Sequence, residues 1–182
     1  IGMSLHNIAN VYKETGEYPS ALVRYGASLA IFQELGNTYG EAGALSNIGA
    51  VHAALGDTQA ARDYYGQSLA IEQRTGNRHG EAESLLQLGE LCLQAGDRAS
   101  DPSANTAQLA LSYLQPALAL AQALEANELA YKINLALSRA YELQGDYATA
   151  LRHYQAFHTA QRAVFDEELS ERTKQLQIIH QV

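Results

Sequence analysis

The side chains of this sequence that are capable of covalent or metal chemistry are few and scattered. Six histidines and a single cysteine are spread over 182 residues. The chain has no Gly-x-Ser-x-Gly elbow, no Walker-type phosphate loop, no His-Glu-x-x-His helix and no Cys-x-x-Cys pair. His153 and His158 fall on different faces of a helix, a poor geometry for a shared metal. Acidic pairs such as Glu81/Glu83 and Glu167-Glu168 read as solvated helix surface. Cys92 sits among apolar neighbours and reads as a small core residue; alone, it forms no internal disulfide. Catalysis, a metal site and a cofactor are therefore not expected.

The stronger signal is a repeat. Gly16-Glu17, Gly56-Asp57 and Gly96-Asp97 recur every 40 residues, as do Gly36-Asn37 and Gly76-Asn77. The segment Tyr25-Gly26-Ala27-Ser28-Leu29-Ala30-Ile31 echoes Tyr65-Gly66-Gln67-Ser68-Leu69-Ala70-Ile71. A period of this length marks a solenoid, a stack of small units that are not stable singly and that offers extended surfaces to other molecules.

Composition agrees with helix throughout: 47% hydrophobic residues, no tryptophan and three prolines. The net charge of -8 supplies no basic excess for nucleic acid or an anionic membrane. No apolar run approaches the ~20 residues that span a bilayer. A lone cysteine fits a cytoplasmic location. The chain opens inside a repeat unit without an initiator methionine and reads as a piece of a larger protein.

Each unit reads as two helices. Leu45, Ile48, Gly49, His52 and Leu55 form the stripe of an amphipathic helix that Gly56 stops, and Asp57 caps the next, from about Thr58 to Thr75. Ala61, Tyr65, Ser68 and Leu69 form the stripe of that second helix. Interior glycines at 49, 66 and 89 lower helix stability by about 1 kcal/mol each relative to alanine, which points to close helix–helix approach. In the third unit Arg98 to Thr106 reads as an inserted surface loop, and Pro116 is expected to kink the helix that follows. The fourth unit resumes with Leu137, Tyr141, Gly145-Asp146, Ala150 and Tyr154. From Tyr147 to Val182 no glycine or proline interrupts, so one long helix is expected.

The sites Leu5, Ile8, Ala9, Tyr12, Gly16, Ala21, Tyr25, Ser28 and their equivalents Leu45 to Ser68 resemble the tetratricopeptide repeat (TPR) pattern. The 40-residue spacing is similar to that of the kinesin-light-chain-like members. The resemblance implies an all-α, right-handed α-solenoid of antiparallel helix pairs: four repeats over 1–37, 38–77, 78–126 and 127–164, then a helical extension or linker over 165–182. It implies a groove for a protein or peptide, lined by the first helix of each unit.

On that helix the residue before the Ile/Leu core site faces the groove in TPR stacks. Here it is Asn7, Asn47, Gln87 and Ala136. A carboxamide carries a donor and an acceptor and so clamps a peptide backbone whatever its side chains; the kinesin-light-chain-like grooves resemble this. Asn10, Glu90 and Arg139, with His6, Glu83 and Lys132, are further groove candidates. Members that grip chaperone tails need a basic cluster, whereas this chain has Ser46, Ala50, Glu83 and Glu90; that role is excluded.

The C-terminal run resembles the junction of bacterial TPR sensors with an output domain, a diguanylate cyclase or a histidine kinase. Leu169, Leu176 and Ile179 are spaced like one edge of a coiled-coil seam. Either a capping helix, a two-fold homodimer contact or a contact with an output domain accounts for them. The expected function is a protein-interaction module of a larger cytoplasmic signalling protein, with a stand-alone adaptor as the alternative.

Overall fold

The computed structural model describes the backbone of residues 1–98 and 104–180 and the side chains of 1–95 and 105–163. Eight helices account for nearly all of it: α1 (Gly2–Glu14), α2 (Tyr18–Glu34), α3 (Thr38–Leu55), α4 (Thr58–Thr75), α5 (Arg78–Arg98), α6 (Ala104–Ala123), α7 (Asn127–Gln144) and α8 (Tyr147–His180). No strand occurs among the described residues. Each helix packs on its neighbours in sequence, while α1 also touches α3 and α5 touches α7. This is an α-solenoid of helix pairs.

The turns show why the chain folds back where it does. Gly56, Gly76 and Gly145 end α3, α4 and α7 in the left-handed region, with φ of 83°, 71° and 83°. The next residue then caps the following helix: Asp57 Oδ1 accepts from Ala60 N at 3.2 Å, Asn77 Oδ1 from Gly80 N at 3.3 Å and Asp146 Oδ1 from Thr149 N at 3.1 Å. The α6–α7 turn has lost both devices. Glu125 stands where Gly36 and Gly76 stand and is forced to φ 53°, the one non-glycine residue with positive φ among those described. Ala126 stands where the capping asparagines stand, and α7 has no side-chain cap.

Helix spacing rests on large side chains set against glycine. A Cβ on Gly49 would meet the Tyr65 ring at 2.8 Å, and one on Gly40 would meet the Phe32 ring at 2.6 Å. Gly89 faces Leu114 in the same way. Gly66 departs from expectation: nothing lies within 4 Å of its Cβ position, so its weak helix propensity answers no close contact. Buried serines add direction. Ser28 Oγ donates to Gly2 O and Ser68 Oγ to Ala42 O, each at 3.0 Å and each one period apart.

Three further expectations change. Helix α5 runs through Gly96 and Asp97 to Arg98, and α6 starts at Ala104. The expected 98–106 loop is thus entered by helix from both sides, its residues 99–103 lying outside those described; the longer connection frees α5 from stopping at the glycine. Ile8 is 45% exposed, whereas its equivalents Ile48 and Leu88 are 4% exposed, because no described helix covers the outer side of α1. Ala136 is buried in the core where α5 meets α7, so the carboxamide series ends at Gln87. Pro116, expected to kink its helix, lies within α6 on an exposed face, and α6 runs from Ala104 to Ala123.

Restoring Gly-Asn at positions 125–126 tests the turn argument. Glu125→Gly removes left-handed strain and Ala126→Asn supplies a cap, each worth about 1 kcal/mol. A thermal melt of the double variant should rise by about 2–4 °C per kcal/mol gained. An unchanged or lowered Tm would contradict this account of the turn.

Candidate functional site

Helices α1, α3, α5 and α7, with Phe32 of α2 and Ser68 and Glu72 of α4, line one concavity of about 850 Å³. Eight of the ten groove residues expected from sequence line it: Asn7, Asn10, Asn47, Gln87 and Glu90, with His6, Glu83 and Lys132. Arg139 falls outside the lining, although its charge acts on Glu90. The side chains of Leu169, Leu176 and Ile179 lie outside those described; their backbone belongs to α8.

The amides are not all in the same state. Asn7 is exposed. Asn10 accepts the Tyr25 hydroxyl, whose pKa is pushed up to about 12 by burial and then by Glu14, so it remains a donor. Asn47 is held within the fold: Lys13 Nζ donates to its Oδ1 at 2.7 Å, and its Nδ2 donates to Gly43 O at 3.0 Å and towards His6 Nε2 at 3.3 Å. With Nε2 accepting, the His6 proton sits on Nδ1, which is buried without a partner. Burial lowers the pKa of both His6 and Lys13; Lys13 adds to the effect on His6, while Glu14 opposes it at Lys13. Gln87 accepts from Ser46 Oγ at 2.8 Å through its Oε1.

The other half of the groove is acidic. Glu90 keeps accessible surface but stands deep in the concavity, where the surrounding protein raises its pKa against the opposing charges of Arg139 and Lys132. Lys132 itself is bonded to Glu128 at 2.7 Å. Glu72 lines the wall and is only 6% exposed. Burial raises its pKa, the Asn77 side chain opposes the rise and the Glu83 charge adds to it.

Sequence reasoning missed Glu72 and Lys13, although each breaks the register. Ile31-Phe32-Gln33 becomes Ile71-Glu72-Gln73, and Lys13 is followed a period later by Ala53 and then Leu93. A charge at a position that is apolar elsewhere in the repeat was the available signal. Tyr154 also differs: its equivalents Tyr25 and Tyr65 are 0% and 5% exposed, while Tyr154 is 44% exposed on a face of α8 that no described helix covers. Its neighbour His153 is tied in, accepted by Asn134 Oδ1 at 2.8 Å and stacked on Tyr141.

The Glu72 shift has a defined sign. A carboxyl whose folded pKa lies above its unfolded value stabilises the fold relative to the ionised form below the unfolded pKa. That contribution is lost as pH rises through the folded value. Glu72→Met, an unbranched apolar replacement, should therefore raise Tm at pH ~7, and the gain should shrink towards pH ~4 as the native carboxyl protonates. A gain that stays constant across that range would remove the titration argument.

Among the described residues no group of three or more His, Cys, Asp or Glu is placed to hold a metal, and no helix is long and apolar enough to cross a membrane. No curated protein matches the sequence significantly. Among solved structures, BtubC (BKLC) from P. vanneervenii superposes with a TM-score of 0.76 at 20% identity, over 90% of this chain and 64% of that one. This chain thus spans less than two thirds of that protein's length, and the likeness shows the fold. A Podosopora anserina putative kinesin light chain with nearly identical TPR-like repeats matches at 19% identity over 89% and 95% of the two chains, with a TM-score of 0.40. The family model described as tetratricopeptide repeat matches residues 1–71 and again 40–100, together more than half of the sequence. With the helix pairs, the turn glycines and the concave wall already in place, this match assigns the chain to the tetratricopeptide repeat family.

Proposed function

We propose that the concave face binds an extended segment of a protein partner, without catalysis. The observation that carries this reading is the convergence of Asn7, Asn47 and Gln87 on one groove wall, one per unit. Asn7 offers both hydrogen-bonding senses to a peptide backbone directly, and Asn47 and Gln87 offer them by exchanging their bonds to Lys13, Gly43 and Ser46. The array would comprise the four units over 1–164, with 165–182 as an extension. In the finer reading, the chain is the regulatory part of a larger cytoplasmic bacterial signalling protein. The unbroken run of α8 from Tyr147 to His180 supports it, since a long helix leaving an array is suited to carrying a change of state. A two-fold homodimer through Leu169, Leu176 and Ile179 belongs to the same reading.

A labelled alanine–glutamine alternating peptide tests the groove by fluorescence anisotropy. Asn7→Ala should leave Tm unchanged and weaken binding by about threefold to tenfold, the worth of one hydrogen bond. Asn47→Ala should weaken binding as well but also lower stability by about 1 kcal/mol, because Lys13 loses its partner. Unaltered affinity in both variants would refute the amide clamp. Light-scattering mass with and without residues 166–182 addresses the tail. The dimer is expected to become a monomer on truncation, and a monomer in both cases would exclude the homodimer.

A further inference from the structure

Glu72 is a charge in a niche that the repeat fills elsewhere with an aromatic ring. In the first unit Phe32 lies over Gly40; in the second the Glu72 carboxyl lies over Gly80 in the same way. The niche is narrower in the second unit. Ala42 carries a Cβ where Gly2 has none, and a Cβ on Gly2 would meet Phe32 Cε1 at 3.2 Å. A slimmer side chain fits there, but nothing in the packing calls for a charged one.

That charge has no cationic partner among the described residues. No ion pair includes Glu72. Three bases of the surrounding region are engaged elsewhere: Arg78 with Glu81 at 3.1 Å, His79 with Glu83 at 3.7 Å and Lys132 with Glu128 at 2.7 Å. The Asn77 amide is the group that favours the ionised form, and Glu83 works against it. A carboxylate that is more than nine-tenths buried without a counter-ion is costly to the fold. Here it lines the open groove, so a cation arriving there finds an attraction that solvent hardly screens.

We infer that the groove between α3 and α5 takes a lysine or arginine side chain of the bound segment, with Glu72 as its counter-ion and Glu83 beside it. This rests on the groove reading above and deepens it: the amides at positions 7, 47 and 87 hold the backbone, and Glu72 selects the side chain. The preferred partner is a basic segment. A single buried carboxylate flanked by serines and an amide is too poor in hard donors for a metal, whereas it matches one ammonium or guanidinium group.

The test compares an alanine–lysine alternating peptide with its alanine–glutamine counterpart on the full chain, by anisotropy at physiological salt. The native chain should bind the lysine peptide about tenfold more tightly. Glu72→Gln should bring the ratio close to one while leaving affinity for the glutamine peptide unchanged. Glu72→Met should do the same, which guards against a folding defect peculiar to one variant. Glu34→Gln removes an equal charge from the exposed end of α2, outside the groove lining, and should preserve the ratio. Equal affinities in the native chain, a ratio that survives Glu72→Gln, or a ratio lost in Glu34→Gln would each overturn the inference. Failure of both peptides to bind would overturn the groove reading and this inference with it. Binding of the lysine peptide alone, dependent on Glu72, would uphold the inference and dismiss the amide clamp.

Discussion

A large side chain of one helix set directly on a glycine of the next fixes the geometry on which the rest of the molecule depends. Tyr65 on Gly49, Phe32 on Gly40 and Leu114 on Gly89 bring helix backbones closer than any Cβ would allow. The glycines lower helix propensity, and the stack offsets that loss through burial that neither helix achieves alone. Because the contacts recur with the period, the first helices of successive units come to line one wall. The Gly49 and Gly89 contacts lie outside the concavity, whereas Phe32 and Gly40 form part of its lining. A side chain added at Gly49 or Gly89 would alter the groove without touching it.

Within that wall, polar chemistry is divided by unit. Between α1 and α3 a cation, an imidazole and a carboxamide satisfy one another: Lys13, His6 and Asn47. Between α3 and α5 the Glu72 carboxylate has the Asn77 amide but no cation, Glu83 meets His79 at 3.7 Å, and further along Glu90 feels Lys132 and Arg139. A ligand running along the groove therefore meets a self-contained network first and an unbalanced charge next. Binding at the first requires exchange of hydrogen bonds, with a small net gain per bond. Binding at the second adds an ion pair in a poorly solvated place, where the electrostatic return is larger. On the proposed reading, affinity and selectivity would fall to different stretches of the same surface.

The all-helical stack was legible from the turns. Gly56-Asp57, Gly76-Asn77 and Gly145-Asp146 each combine a left-handed stop with a cap, and both act through local backbone geometry that sequence reports directly. The groove face was legible for Asn7, Asn10, Asn47, Gln87 and Glu90 because the register carries one unit's geometry to the next. What failed depended on neighbours rather than on period. Ala136 shares the register of Gln87, but α7 packs against α5 and buries it. Gly66 looks like Gly49 in sequence, yet no side chain approaches it. The engagement of Asn47 by Lys13 spans two units, and only the helix spacing decides whether an ammonium reaches an amide. Glu72 is not legible from what the units share, because its meaning lies in where they differ.

The same logic explains the two ends of the described stack. A residue at a repeat position is buried only if the adjoining helix is present to cover it. Ile8 and Val11 on α1 remain exposed, as do Leu151 and Tyr154 on α8, while the period-equivalents of Ile8 and Tyr154 inside the stack are sealed. Burying such a side chain is worth about 1.5–3 kcal/mol, so these faces are stability that the inner units have gained and the outer ones have not. The inner units are thereby the more stable part of the solenoid, in keeping with its nearest-neighbour energetics. Glu72 and Asn47 lie on the inner helices α4 and α3, whereas Lys13 and His6, which complete the Asn47 network, lie on α1. Glu72 is therefore mounted on a helix packed on both sides, between α3 and α5.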